Sequence, residues 1–292
     1  MGLLDRAVER MKAEQAAEAE AAMEPLENPE LPEPSAEPEA VGEGCPQAPV
    51  VAFDAEVLGA RGYLVPGAAP DYALLEEYRR IKRDLLFHAA VQGVDETFAE
   101  RPNMIMVTSS VDGEGKTFVA TNLAFTIALE VDRTALLLDG DTIRRGATRL
   151  FGLEDRPGLM DVLAGEVEDL GDVIVQLEGV PNLRVLPAGQ PRRNVNELLA
   201  SQRMLELMDE LANRYGDRTI VLDSPPMLMT SEAPLLTRLV GQVALVVHAD
   251  RTPQAQVEQT LELVDEERFA GLILNRASRH VGTGSYDYYA DD

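Results

Sequence analysis

Short apolar segments that alternate with helix-like stretches restrict the fold of this chain more than any other feature. The apolar segments are residues 103–109, 134–139, 183–188, 219–223, 243–249 and 271–275. The helix-like stretches are residues 71–90, 116–130, 194–215, 230–239 and 253–267. Nearly all-apolar strands separated by helices predict an α/β fold with a mostly parallel central sheet and helices on both faces. Ligands of such sheets bind at the carboxyl ends of the strands.

Composition excludes several classes of protein. The net charge of −25 over 292 residues argues against nucleic acid as a partner, because phosphate backbones are bound by clustered Lys and Arg. Cys45 is the only cysteine, so one chain cannot form an internal disulfide, a thiolate zinc site or an iron–sulfur cluster, and a reducing cytoplasm is expected. No apolar run approaches the roughly 18 residues of a membrane span. The N-terminus also lacks the pattern of a secretory signal.

The chain divides into three predicted regions. Residues 1–70 are acidic, rich in alanine and hold nine of the 18 prolines, so we predict that they are disordered. A short amphipathic helix over residues 3–22 is the exception, and it either stays isolated or docks elsewhere. Residues 71–280 form the α/β domain, and residues 281–292 a flexible tail that contains tyrosines. Within the first helix of the domain, a charged flank repeats at intervals of three: Glu77, Arg80 and Arg83.

The segment VTSSVDGEGKT, residues 107–117, predicts a phosphate-binding loop between a strand and a helix. The usual pattern is G-x-x-x-x-G-K-[ST], which Gly115, Lys116 and Thr117 match, while Ser110 stands at the first glycine position. Glycines in the loop let backbone N–H groups turn toward one point, and the helix N-terminus favours an anion there. Lys116 would reach the β- and γ-phosphates, and Thr117 would bind magnesium. The predicted nucleotide-binding residues are Ser110, Val111, Asp112, Gly113, Glu114, Gly115, Lys116 and Thr117.

Three aspartates end two other predicted strands. Asp139 and Asp141 follow a buried strand in ALLLDGD, where both could face a metal if the chain turns at Gly140. Asp223 ends the strand in TIVLDSPP, which is the usual place for the acid that holds magnesium in a P-loop protein. A pair of carboxylates at a strand end is often only solvated. The aspartates therefore indicate a metal site only in combination with the predicted phosphate-binding loop.

These three segments resemble the Walker A, Walker A′ and Walker B motifs of the bacterial tyrosine kinases that govern capsule and exopolysaccharide export. That family writes the loop S-x-x-P-G-E-G-K-[ST], which accounts for the serine at Ser110, with Asp112 in place of the usual proline. Glu77, Arg80 and Arg83 match its E-x-x-R-x-x-R motif, which is associated with ring-like self-assembly. Further matches are GLMDVLAGE (158–166), LPAG (186–189) and NELLAS (196–201). Phrases such as EEYRRIKRDLL and RTPQAQVE resemble the branch found beside exosortase-linked polysaccharide loci.

The resemblance implies a P-loop NTPase fold of the division-site and partitioning ATPase type, with ATP and Mg²⁺ as cofactors. The implied catalytic residues are Lys116, Asp139, Asp141 and Arg144. Asp139 would accept the proton of an attacking tyrosine, and Thr117, Asp141 and Asp223 would position magnesium. Asn275 resembles the residue that meets the adenine ring in related ATPases, and a polar cap at the strand end is the alternative.

The resemblance also implies a substrate and partners. The phosphate acceptors would be Tyr286, Tyr288 and Tyr289 in the tail, and phosphorylation would weaken a homo-oligomer held by the E-x-x-R-x-x-R helix. A membrane polysaccharide co-polymerase, or chain-length determinant protein, is the implied partner. The protein would then lie in the cytoplasm, peripheral to the inner membrane.

Two other functions remain open on the sequence. One is a non-kinase ATPase switch of the partitioning or division-site type, although Val111 stands where those proteins carry a signature lysine. The other is an ATP-binding adaptor with little catalysis, which is favoured by departures in the second motif. Ile143 occupies the position of the family's arginine, and Arg145 stands where the exosortase-linked branch has proline; Thr142 and Gly146 differ too.

Overall fold

The computed structural model of the protein describes residues 48–92, 101–213 and 218–277. Within these ranges, eight strands form one sheet in the order β1-β4-β5-β3-β6-β2-β7-β8. The strands are β1 (Val50–Val51), β2 (Met104–Ser109), β3 (Thr134–Asp139), β4 (Val175–Leu177), β5 (Val180–Leu186), β6 (Arg218–Asp223), β7 (Gln242–His248) and β8 (Phe269–Asn275). Neighbouring strands are parallel except β4 and β5, which form an antiparallel pair.

Nine α-helices connect the strands of the described residues. They are α1 (Ala55–Ala60), α2 (Tyr72–Gln92), α3 (Lys116–Ala128), α4 (Gly146–Leu150), α5 (Leu159–Leu163), α6 (Val195–Leu199), α7 (Gln202–Asn213), α8 (Glu232–Thr237) and α9 (Gln254–Leu261). Short 3-10 turns lie at Leu170–Asp172 and Glu266–Arg268. In the described part of the chain, none of these helices combines the length and apolar character that crossing a membrane demands.

The central strand β2 shows why the apolar segments form this sheet. Every side chain of β2 is buried, and successive residues point to opposite faces. Ile105 and Val107 belong to the core beneath α2 and α3, whereas Met104 and Met106 belong to the core beneath α5, α7 and α8. Helices therefore cover both faces, and the predicted mostly parallel α/β fold is confirmed.

Helix α3 connects the core to the candidate site. Nearly all of its residues are buried, including polar ones, because it lies between the sheet on one side and α2 on the other. Helix α2 packs Leu75, Tyr78 and Leu85 toward it. Lys82 of the same stripe is buried as well, and its ammonium pairs with Glu130 just beyond the end of α3. The position of α3 is thus fixed by packing on two sides.

The prediction of disorder through residue 70 is wrong for its last part. Val50–Val51 adds a parallel strand to the sheet edge, and Asp54 caps helix α1 by accepting the N–H of Val57 at 2.9 Å with its side chain. Leu58, Leu64 and Val65 are buried in the main core. The high proline and acid content of the whole segment led to the prediction of disorder. Its apolar residues are buried in the same core cluster as those of α3. Residues 1–47, with the predicted helix 3–22, lie outside the described residues.

The helix predicted over residues 194–215 is two helices. Helix α6 ends at Leu199 and α7 begins at Gln202. Ser201 lies between them, and its hydroxyl accepts the N–H of Met204 at 3.2 Å, which is the bond of an N-terminal helix cap. The apolar periodicity runs through this break, so that the pattern alone predicts one helix.

Candidate nucleotide-binding site

The predicted phosphate-binding loop, residues 110–117, joins the end of β2 to the start of α3. Gly113 (φ 82°) and Gly115 (φ 99°) take the left-handed backbone conformation that favours glycine. Gly115 is also the N-cap residue of α3, and a side chain there would collide with the amide of Asn275. The loop therefore lies at the N-terminal end of a 13-residue helix, an arrangement that binds anions.

Ser110 is held by helix α9. Its hydroxyl accepts a hydrogen bond from the hydroxyl of Thr260 at 2.8 Å and donates to the carbonyl of Gln256 at 3.4 Å. Ser110 is not among the residues with a positive φ, so its backbone does not require glycine. The missing first glycine is thus explained by a side-chain contact that fixes the opening of the loop to a neighbouring helix.

Glu114 has the same effect at the other end of the loop. Its side chain is 2% exposed, and its carboxylate accepts the N–H of Val111 at 2.8 Å and the hydroxyl of Thr252. Its backbone carbonyl accepts the side-chain amide of Asn275 at 2.7 Å. The carboxylate of this predicted nucleotide-binding residue is therefore committed to holding the loop, which leaves its backbone N–H as the group that could meet a phosphate.

Lys116 brings the second motif to the loop. Its ammonium lies 3.3 Å from Oδ2 of Asp141 and 4.0 Å from Oδ1 of Asp112, and the residue is only 7% exposed. Asp112 forms a further ion pair with Arg144, which follows Asp141 by three residues. The predicted catalytic residues Lys116, Asp141 and Arg144 thus lie together, linked through the residue that replaces the family's proline.

Asp139 and Asp223 occupy opposite positions on the adjacent strands β3 and β6. Both residues are fully buried. The Thr117 hydroxyl and the Lys116 ammonium lie near the Asp223 carboxylate and act to lower its pKa. Burial, followed by the charge of Asp139, outweighs them and raises the pKa of Asp223 well above its usual value. A buried carboxylate in these surroundings is suited to bind a cation.

Asp139 has more partners. Its Oδ2 accepts the N–H and the hydroxyl of Thr148, both at 2.7 Å, and its Oδ1 accepts the N–H of Asp141 at 3.2 Å. Burial raises the pKa of Asp139 to about 6, and the charge of Asp141 adds to this, while the bonds from Thr148 lower it. The side chain is therefore held in place, and the pKa of its carboxyl lies well above the ordinary value of an aspartate.

A magnesium ion fits the predicted ligands Thr117, Asp141 and Asp223. Within residues 48–92, 101–213 and 218–277, no group of three or more His, Cys, Asp or Glu side chains could hold a metal ion by itself. Mg²⁺ at phosphate sites is bound by one or two carboxylates together with phosphate oxygens and water. Two carboxylates and a hydroxyl beside the phosphate loop meet that requirement.

Gly146 and Thr148 belong to the site although their pattern did not predict it. A side chain on Gly146 would collide with the Thr117 hydroxyl and lie 3.3 Å from Oδ2 of Asp223. Thr148 holds Asp139, and its hydroxyl also accepts the N–H of Ala188 at 2.9 Å. Glycine at position 146 departs from the family's motif. It leaves room for the side chains of Thr117 and Asp223, two of the predicted magnesium ligands.

The chain is similar in sequence and fold to known tyrosine-protein kinases. Etk of Escherichia coli K12, named a tyrosine-protein kinase, is 35% identical over 188 residues, which are 64% of this chain and 25% of Etk. CapB of Staphylococcus aureus is 27% identical over 225 residues, which are 76% of this chain and 93% of CapB. The solved kinase domain of Etk matches with a TM-score of 0.61 at 27% identity, covering 84% of this chain and 95% of that domain. Bacterial tyrosine-protein kinases are homologues of this chain.

The resemblance to bacterial tyrosine kinases that the motifs indicated is thereby confirmed. Membership of the exosortase-linked branch stays a prediction. The chain spans about a quarter of the length of the first curated relatives it matches. No protein-family model matches it.

Two of the matching kinase motifs contact each other. The N–H groups of Leu159 and Met160 donate to the carbonyls of Pro187 and Ala188 at 2.8 and 3.0 Å. The carboxylate of Asp161 accepts the N–H of Gly158 at 2.8 Å. GLMDVLAGE and LPAG therefore act together to fix the chain after β5, close to Thr148.

The departures from the kinase motif have a structural consequence. Ile143 is 61% exposed, so that it forms no part of the buried site. Arg145 has a φ of 51°, which proline cannot adopt, and its side chain donates to the carbonyls of Gly189 and Glu154 at 3.1 and 3.3 Å. In this conformation, arginine at position 145 stabilises the turn that leads into α4.

The other predicted residues are divided between two surfaces and the tail. Arg80 and Arg83 are exposed on α2, whereas Glu77, also exposed, lines a cavity beside the phosphate loop. Asn275 lines the same cavity, and both of its amide atoms have partners, since its Oδ1 accepts the N–H of Arg276 at 2.9 Å. This supports the strand-cap alternative for Asn275, and its contact with adenine stays a prediction. The acceptors Tyr286, Tyr288 and Tyr289 lie outside the described residues.

Proposed function

We propose that this protein is an ATP-dependent protein-tyrosine autokinase that regulates exopolysaccharide polymerisation or export. One observation carries the proposal: a phosphate loop, a buried lysine and two buried aspartates from different strands meet at one end of a parallel sheet. The homologous kinase domain of Etk supports transfer of the phosphate to tyrosine. The first curated relatives are about four times as long as the region they share with this chain, and the activity of those whole proteins is proposed for it.

The proposed roles follow from charge. The loop N–H groups and Lys116 would stabilise negative charge on the transferring phosphoryl group. Magnesium, held by Thr117, Asp141 and Asp223, would neutralise charge on the β- and γ-phosphate oxygens. Arg144 forms an ion pair with Asp112 of the phosphate loop. Its guanidinium group would neutralise part of the negative charge of the bound phosphates.

Tyrosine has a pKa near 10, so its hydroxyl needs a proton acceptor when it attacks. The new bond forms between the tyrosine oxygen and the γ-phosphorus, the bond from that phosphorus to ADP breaks, and the tyrosine proton passes to the enzyme. Asp139 is the proposed acceptor. Burial raises the pKa of this carboxyl above its ordinary value, and among the described residues its Oδ1 receives only the 3.2 Å bond from the Asp141 N–H.

The proposed substrate is the acidic tail of a neighbouring copy, with Tyr286, Tyr288 and Tyr289 as acceptors. Each phosphate adds nearly two negative charges beside Asp287, Asp291 and Asp292, which would oppose an oligomer built on Glu77, Arg80 and Arg83. A membrane polysaccharide co-polymerase is the proposed partner. It would anchor the protein at the inner membrane and activate it there.

The test is incubation of the purified protein with ATP and Mg²⁺, with and without the cytoplasmic segment of that partner, followed by detection of phosphotyrosine. We expect a signal that Lys116→Met abolishes and that the triple change of Tyr286, Tyr288 and Tyr289 to Phe removes. ATP binding without phosphotyrosine under either condition would identify an adaptor. ATP hydrolysis without phosphotyrosine would identify a non-kinase switch.

A further inference from the structure

Residues 158–166 and 186–189 carry two motifs of the kinase family, and none of the proposed roles in nucleotide binding or catalysis belongs to them. The second motif reaches the site through Ala188. The N–H of Ala188 donates to the hydroxyl of Thr148 at 2.9 Å, and that hydroxyl donates to Oδ2 of Asp139 at 2.7 Å. One fully buried threonine therefore joins this motif to the proposed proton acceptor.

The direction of the two bonds at the Thr148 hydroxyl is fixed when the Asp139 carboxylate is ionised. A backbone N–H can only donate, so the hydroxyl oxygen accepts from Ala188 and its single proton is left for Asp139. Oδ2 of Asp139 also accepts the N–H of Thr148 at 2.7 Å, whereas Oδ1 accepts the longer bond from the N–H of Asp141 at 3.2 Å. Oδ2 thus has two donors from one residue, and Oδ1 can take up a proton without breaking either bond.

The first motif holds the loop that carries Ala188. Asp161 is 3% exposed, and its Oδ2 accepts the N–H groups of Gly158 and Gln190 at 2.8 and 3.0 Å. Because Gln190 directly follows the second motif, this carboxylate joins the two motifs. The N–H of Met160 also donates to the carbonyl of Ala188 at 3.0 Å. The residue that contacts the Thr148 hydroxyl is therefore fixed on both sides by the first motif.

We propose that Thr148 is a positioning residue for the proton acceptor, and that the motifs at 158–166 and 186–189 hold its hydroxyl in place. The inference rests on the proposed kinase function and deepens it. Thr148 keeps Oδ2 of Asp139 as a hydrogen-bond acceptor, so that the proton of the attacking tyrosine is received at Oδ1. Without the hydroxyl the carboxylate loses one of the two bonds from Thr148, and proton transfer depends on the orientation of the accepting group.

The experiment separates the rate of phosphate transfer from nucleotide binding in the full-length protein. The rate of phosphotyrosine formation is measured at saturating ATP and Mg²⁺, and ATP affinity by calorimetry. Thr148→Val, which keeps the shape of the side chain, should lower the rate at least about tenfold with ATP affinity unchanged. Thr148→Ser restores the hydroxyl and should recover most of the rate. Thr237→Val is the control, because this buried hydroxyl donates to Pro234 within α8 at 2.9 Å.

A second pair of variants tests the motifs from outside the site. The guanidinium group of Arg192 donates to Asp161 at 2.7 Å and to Glu166 at 2.6 Å. Arg192→Met should therefore lower the rate by a smaller factor, again without a change in ATP affinity. Arg193→Met is its control, since Arg193 is the next residue and is exposed. This pair decides the inference if thermal unfolding shows that Thr148→Val is not folded.

Three results would overturn the inference. A wild-type rate in Thr148→Val would show that the hydroxyl does not position Asp139. A parallel loss of rate and ATP affinity, or a Thr148→Ser protein as slow as Thr148→Val, would assign Thr148 to the stability of the loop alone. Failure of the proposed function is a different result, because the wild type itself would then form no phosphotyrosine, and the inference would fall with it.

Discussion

Asp139 and Asp223 face each other across β3 and β6, both fully buried, and the bonds from Thr148 hold only the Asp139 carboxylate. The folded chain therefore holds a second buried carboxylate in the middle of its sheet, with the Thr117 hydroxyl and the Lys116 ammonium near it. Such a group is costly unless a cation neutralises it. We interpret this cost as the consequence of a site built for a charged ligand, since binding sites often reduce the stability of the protein that contains them.

The change Asp223→Asn tests that interpretation. Removing the buried charge should stabilise the nucleotide-free protein by about 1–2 kcal/mol, which corresponds to a rise in melting temperature of roughly 2–8 °C. Magnesium-dependent ATP binding should weaken at the same time. Thermal unfolding without ligand and calorimetry with Mg²⁺ and ATP measure the two effects. Asp265→Asn is the control, because the Asp265 side chain is 70% exposed and lies far along the chain from the site. A less stable Asp223→Asn protein would contradict this account.

The raised pKa of Asp139 predicts an unusual dependence of stability on pH. In the unfolded chain this group titrates near 3.9, and in the folded protein at about 6. Between these values the folded state keeps a proton that the unfolded state has lost, so the free energy of unfolding falls as pH rises from about 4 to 6. The contribution is at most about 3 kcal/mol.

The prediction is checked by denaturant unfolding of the nucleotide-free wild type and of Asp139→Asn across this pH range. Asp139→Asn also alters the bonds with Thr148, which shifts its stability by a similar amount at every pH. The informative quantity is the difference between the two proteins, which should change in favour of the variant up to about pH 6 and then level off. A difference that stays constant with pH would show that Asp139 is not titrating in this window.

Contact between Glu114 and Thr252 predicts energetic coupling between the phosphate loop and the turn before α9. Glu114→Ala should weaken ATP binding about tenfold, because it leaves the partly buried N–H of Val111 without its acceptor. Thr252→Val should weaken binding less. The double variant should lose less than the sum, with a coupling of about 0.5 kcal/mol or more. Gln254→Ala serves as the control on the same segment, since its side chain bonds to Glu258, which is exposed. Strict additivity would show that the two residues act independently.

Strand ends were predictable because short-range patterns determine them. Residues 135–138 are apolar and the strand ends at Asp139, so the positions of the aspartates followed directly. The roles of Ser110 and Glu114 could not be read in the same way. Thr260 and Thr252, which bond to their side chains, lie more than 130 residues away along the chain. Which side chain meets which depends on how α9 and the turn before it pack against the loop.

The predicted boundary of the folded domain at residue 71 was wrong for a related reason. Leu58, Leu64 and Val65 are apolar residues in an acidic, proline-rich segment, and such a segment alone could not bury them. Their burial depends on a surface that α3 provides, including the amide of Asn122 that bonds to Leu64. Sequence windows describe local composition, so a segment that orders only on a distant surface escapes them.

The turn at Arg145 gives the last prediction, which concerns the proline expected there from the exosortase-linked pattern. Arg145→Pro should destabilise the protein by about 3 kcal/mol or more, because proline cannot adopt a φ of 51° and lacks the N–H that donates to the carbonyl of Asp141 at 2.6 Å. Arg145→Gly keeps both features and removes only the side-chain bonds to Gly189 and Glu154, so its loss should be much smaller. Denaturant unfolding of the two variants separates backbone from side-chain effects. Equal stabilities would show that the left-handed turn does not persist in solution, and the position of Gly146 beside Thr117 would then need another explanation.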